Sequence, residues 1–199
     1  MFKKMALSWA AILGVALMYA SYSSAEAPKF MGNEGCNCHK TEVKDWSESA
    51  HGTAFDQLLS SKRSRKQNKA LKDVGIDHTK DYDKDDKCLA CHTVGFNLPG
   101  GYSAQNIKAD LKGVGCEACH GAGSGYRVLH KDKDETFTRA EAVALGEIYP
   151  PTEQVCRKCH DAKDSVFTAK ADPKYAFDFK KRLEEKKAWH KKYDLLYKH

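Results

Sequence analysis

Beyond residue 25 the chain has a single methionine, Met31, and no second apolar run long enough to cross a membrane. It has no cysteine near residue 25 that could carry a lipid, and its motifs follow no fixed period. Large apolar side chains are scarce as well: 60–72 and 180–192 are dominated by charge, and mean hydropathy is −0.65. These absences argue against a multispan membrane protein, a lipoprotein and a repeat solenoid. They also leave too little material for a core of side chains alone, so something else must supply apolar bulk.

The one long apolar stretch stands at the start. Lys3 and Lys4 precede an uncharged run from Met5 to Ala20, and Ser23-Ser24-Ala25 offers small residues for cleavage. A run of about 16 residues is short for a membrane span. Residues 1–25 therefore read as a signal peptide and 26–199 as one exported, periplasmic domain without a membrane span; an uncleaved N-terminal anchor is the alternative.

All eight cysteines fall in the exported part, where disulfides are permitted, and an even count there ordinarily suggests a disulfide framework. Their positions say otherwise. Cys88-Leu89-Ala90-Cys91-His92, Cys116-Glu117-Ala118-Cys119-His120 and Cys156-Arg157-Lys158-Cys159-His160 are three full C-x-x-C-H motifs. Cys36-Asn37-Cys38-His39 is a fourth group, one residue short, and no cysteine is left over. C-x-x-C-H is the attachment signature of c-type haem. Two thiols add to the two vinyl groups of the porphyrin, and the next histidine reaches the iron. Zinc gathers separated ligand pairs and gives no reason for a histidine after every pair. The motif histidines lie 53, 28 and 40 residues apart. With so little polypeptide per site, four covalently bound c-type haems would form much of the core. The expected fold is a mostly α, small multihaem cytochrome, and the apoprotein is expected not to fold.

His39, His92, His120 and His160 are then the proximal ligands, leaving His51, His78, His130, His190 and His199 for the far side of each iron. With Met31 alone available, histidine–histidine ligation is the natural arrangement, and it holds haem at a lower potential than histidine–methionine ligation. His51 falls in 41–59, which reads as a helix with Val43, Ser47, Ala50, Ala54, Phe55 and Leu58 on the same stripe. His190 shares a face with Phe179, Leu183, Tyr193 and Tyr197 in a charged C-terminal helix, and His130 follows the glycine-rich 121–125 loop. His78, among Asp77, Lys80, Asp81 and Asp83, and the terminal His199 read as solvated. Three distal candidates for four irons leave one short. Either His78 fills the gap or one haem is five-coordinate.

At this point the chain resembles the tetrahaem cytochrome c-554 family, electron carriers of ammonia-oxidising bacteria. The likeness runs from about Cys36 to Leu195. It is carried by Cys38-His39-Lys40 with Trp46 and Ala50-His51, by Asp81-Tyr82 before Cys88, and by Gly95-Phe96 and Gly100-Gly101-Tyr102. It continues through Gly113-Val114-Gly115-Cys116-Glu117, Cys119-His120-Gly121 and Lys174-Tyr175 to His190. The resemblance implies closely packed haems, bis-histidine ligation at three of them, and an open iron at the second, bound through His92. It pairs His130 with His39 at the first haem and gives His51 and His190 to the fourth and third. It also implies electrons arriving from hydroxylamine oxidoreductase and leaving toward the quinone pool through a membrane-anchored cytochrome. Two departures stand out. Aligned on Cys38-His39, Gly35 occupies the place of the first thiol, so attachment there is through one thioether or two strained ones. His78, ten residues before Cys88, has no counterpart in the family pattern.

The chain carries +6, and losing Lys3 and Lys4 leaves +4. Eight propionates on four haems bring the reduced holoprotein to about −4, so the sequence pI of 8.8 gives no reason to expect nucleic-acid binding. Basic runs remain at Lys62, Arg63, Arg65, Lys66, Lys69 and Lys72, and again in 180–192; they read as solvated helix faces, with steering of an acidic redox partner as the functional alternative. Three functions compete: a pure electron carrier, a small haem enzyme reducing nitric oxide or a related nitrogen species at the open second iron, and a subunit of a polymeric cytochrome. The carrier leads.

Overall fold

The computed structural model describes residues 26–130 and 137–185. They form short helices joined by turns: α1 (Lys40–Ser47), α2 (Arg65–Asp73), α3 (Asp86–His92), α4 (Cys116–His120), α5 (Arg139–Ala144), α6 (Glu153–Arg157) and α7 (Phe179–Glu185), with several 3-10 turns between. Extended pairing among the described residues is limited to isolated bridges at Thr93–Lys112 and Ser103–Asn106. The fold is mostly α, as expected. The helices that end within the described residues, α1 to α6, fall short of the roughly 12–15 residues at which an isolated helix becomes marginally stable, so caps and packing must hold them. Ser64 and Gln67 close a capping box on α2, Thr138 and Glu141 another on α5, and the Asp85 carboxylate caps α3 through Lys87 N–H.

The apolar core is small. Phe55, Leu58, Leu89, Val94, Tyr102 and Leu111 form one buried cluster, with Phe30, Tyr82 and Phe96 packed on it. Val94 and Leu111 are fully enclosed, and side chains of that size each contribute about 1.5–3 kcal/mol by leaving water. The cluster fastens α3, which carries Cys88 and Cys91, to the 3-10 turn Phe55–Leu58.

Two buried charged residues tie distant segments together. The Glu117 side chain, 2% exposed, accepts from the backbone N–H groups of Met31, Gly32 and Gly123 at 2.6–3.0 Å. Burial pushes its carboxyl above the usual range, and those N–H groups oppose the shift. Arg63 donates to the carbonyls of Gln57, Leu58, His78 and Lys80 and to Asn68 Oδ1, with its guanidinium 5.8 Å from the Tyr82 ring centroid. Arg63 therefore does not belong to a solvated basic face: it is 8% exposed and serves the interior.

The helix expected over 41–59 breaks in the middle. It ends at Ser47, and turns carry 49–54 into the 3-10 turn Phe55–Leu58. Ser49 Oγ accepts from Gly52 N–H, and Thr53 Oγ1 donates back to Ser49 O, so local side-chain bonds compete with the helical ladder. The His51 and Gly52 carbonyls instead face the bend at 113–114: Val114 N–H donates to His51 O at 2.9 Å, and a Cβ on Gly113 would stand 2.7 Å from Gly52 O. His51 is thus presented by a turn, not by a helix stripe. In the C-terminal segment α7 is described to Glu185; His190, Tyr193, Tyr197, His199 and the second half of the 180–192 basic run lie outside the described residues.

Candidate haem sites

Each attachment motif sits at or beside a helix end. Cys88, Cys91 and His92 are on α3, Cys116, Cys119 and His120 make up α4, and Cys156 is on α6 with Cys159 and His160 in the turn after it. On the two motif helices that run through their histidine, the thiols are three residues apart and share a face. Cys36 ends the 3-10 turn Asn33–Cys36, and His39 caps α1. All eight thiols are free of disulfides. Among the described residues no three or more His, Cys, Asp or Glu side chains gather as a metal cage. Both alternatives weighed on sequence, a disulfide framework and zinc, go without support.

Two of the motif histidines are oriented by backbone carbonyls. His92 Nδ1 pairs with Ala54 O at 2.6 Å and His120 Nδ1 with Ile148 O at 3.2 Å. A backbone carbonyl at Nδ1 fixes the tautomer that leaves Nε2 to bind metal, the usual arrangement behind a ligating histidine. Burial holds the His92 ring below its ordinary pKa, with the Ala54 bond opposing. Tyr149 lies parallel to the His120 ring, and Phe177 stacks on His160 with centroids 4.7 Å apart.

Across the fold, the His51 and His160 rings stand 6.1 Å apart, centroid to centroid, at 52°. An imidazole nitrogen binds a first-row metal at about 2.0 Å and lies about 1.1 Å from its ring centre, so two rings on opposite sides of one ion sit about 6.2 Å apart. The pair has the spacing of two axial ligands. His78 occupies a turn closed by Asp77 and Thr79, half-buried, with its carbonyl claimed by Arg63. Among the described residues no histidine ring is set against His92 as His51 is against His160. His130 ends the 3-10 turn Tyr126–His130.

The attachment sites also touch one another. Cys36 lies beside Cys116, and Cys91 beside Cys159. The first site thereby meets the third, and the second meets the fourth. Donor set, thiol spacing and ring separation all fit covalently bound haem. Sequence reasoning missed Glu117 and Arg63. The signal for Glu117 was a carboxylate inside an attachment motif, next to a glycine-rich loop whose N–H groups need acceptors.

The family profile described as "Cytochrome c554 and c-prime" matches residues 35–121. Cytochrome c-554 of Nitrosomonas europaea is 33% identical over 191 residues, covering 86% of this chain and 79% of its own. The solved structure of the reduced state of cytochrome c554 from Nitrosomonas europaea superimposes with a TM-score of 0.76 at 32% identity, over 85% of this chain and 88% of that one.

Proposed function

The chain belongs to the cytochrome c-554 family, and from that premise we propose that it works in the periplasm, taking electrons from a hydroxylamine oxidoreductase-like donor and passing them to a membrane-anchored cytochrome. That it is a c-type cytochrome electron carrier with four covalent haems follows from the family. Haem iron, when bound, cycles between ferric and ferrous at a potential set by its axial ligands and surroundings. The chain's own residues hold and tune it. Cys88, Cys91, Cys116, Cys119, Cys156, Cys159 and at least one of Cys36 and Cys38 provide covalent anchorage. His39, His92, His120 and His160 are the proximal ligands, and His51, His130 and His190 the distal ones.

The observation that carries this reading is the His51–His160 pair at 6.1 Å. It supports giving His51 to the fourth haem, which leaves His190 for the third and His130 for the first. Two histidines on one iron suit outer-sphere electron transfer, because neither ligand has to leave. Exposed Lys66, Lys69 and Lys72 on α2 would steer an acidic donor, a contribution that salt weakens. Stopped-flow mixing of oxidised holoprotein with reduced hydroxylamine oxidoreductase tests the donor. Fast haem reduction that slows as salt rises is expected; no electron uptake would remove that donor. His51→Ala tests the ligand set independently and should convert one low-spin haem to high-spin.

A further inference from the structure

The first attachment site is out of register by one residue. In the other three motifs the thiols stand three apart, and all six are half-buried. Cys36 and Cys38 stand two apart, which is about 200° around an α-helix or 240° around a 3-10 helix, so they point different ways. The local fold has this divergence. Cys36 ends its 3-10 turn half-buried, its sulfur on Cys116, while Asn37 continues right-handed at φ −60°, ψ −13°. Cys38 is exposed and directly precedes His39, just as Cys91, Cys119 and Cys159 directly precede their histidines. The place three residues before Cys38 belongs to Gly35, where even a bare Cβ would stand 3.1 Å from Met31 Cβ.

We propose that the first haem is held by one thioether, from Cys38, and that Cys36 remains a free, half-buried thiol beside Cys116. The proposal rests on the four-haem reading. The Cys38 S–H adds across one vinyl group: a carbon–sulfur bond forms, the vinyl double bond becomes single, and the thiol hydrogen ends on the other vinyl carbon. No oxidant or reductant is consumed, and the second vinyl stays unsaturated. A conjugated vinyl withdraws electron density, so this haem differs from its neighbours in colour and potential.

The experiment is to denature holoprotein without reductant, alkylate with iodoacetamide, then measure intact mass and map the label. Four haems and one carbamidomethyl group, on Cys36, are expected, with slower labelling in the native protein. Four haems and no label would overturn the single thioether while leaving the four-haem reading intact. A label on Cys38 would place the bond on Cys36 and overturn it as well. Three haems with both cysteines labelled would overturn the proposal and the four-haem reading together. Pyridine haemochrome spectra give a second readout, because an unsaturated vinyl moves the α band to longer wavelength. The spectrum of Cys36→Ser should superimpose on the wild type, and a shift on that substitution would mean that Cys36 carries a bond.

Discussion

Glu117 shows how much one side chain can hold in a protein with a small apolar core. Its Oε1 accepts from Met31 and Gly123, and its Oε2 from Met31 and Gly32. A glutamine keeps the shape and loses one acceptor, so either the Gly32 or the Gly123 N–H is orphaned in the interior. Leaving a buried donor unpaired costs about 1–3 kcal/mol. Glu117→Gln should therefore lower holoprotein stability by about 2 kcal/mol in denaturant unfolding, even though it removes a buried charge; an unchanged midpoint would mean that these bonds are exchanged for water without loss. Arg63 makes a related point from the cationic side. Its planar fork reaches four carbonyls at once, which a lysine ammonium at the same place cannot match. Neither role was legible in the sequence. Arg63 sits in a run of basic residues, and nothing local separates the one that turns inward from those that stay in water. Glu117 has partners 85 and 86 residues away.

At the scale of elements, the attachment motifs are a local signal and the distal histidines are not. C-x-x-C-H is a local signal, complete within five residues, and all three regular copies lie at or beside helix ends. The 41–59 segment carries a helical apolar stripe, yet Ser49, Gly52 and Thr53 bond locally and break it. Periodicity registers the stripe and is blind to that competition. What places His51 is the neighbouring segment: Val114 donates to its carbonyl, and Trp46 Nε1 donates to Val114 O at 2.7 Å. Gly113 makes the approach possible, with φ +85° and the Gly52 and His51 carbonyls against it. Gly113→Ala meets both the strained φ and the contact. It should cost about 1–3 kcal/mol and disturb the haem served by His51, seen as a changed low-spin electron paramagnetic resonance signal. An unaltered signal would mean that His51 is positioned without this segment.

The whole molecule raises the question of an uneven ligand supply. The proposed ligand set has three distal histidines for four irons, and His92, half-buried with Nδ1 on Ala54 O, is the proximal histidine it leaves unmatched. The oxidised holoprotein should show one high-spin signal beside low-spin ones, unchanged in His78→Ala. A wholly low-spin wild type that gains a high-spin haem in His78→Ala would make His78 the sixth ligand. Nitric oxide added to the reduced protein should likewise bind one haem per chain. The sulfur contacts between motifs have a different consequence. Cys36 lies on Cys116, Cys91 on Cys159, and His51, which follows the first motif, faces His160 of the last. A fragment ending after the third motif would keep His51 and Cys91 and lose His160 and Cys159, which stand opposite them. Repeat proteins gain and shed units because each unit touches only its neighbours. Here the first and second motifs lie against the third and fourth, so removing one motif would also uncover part of another site.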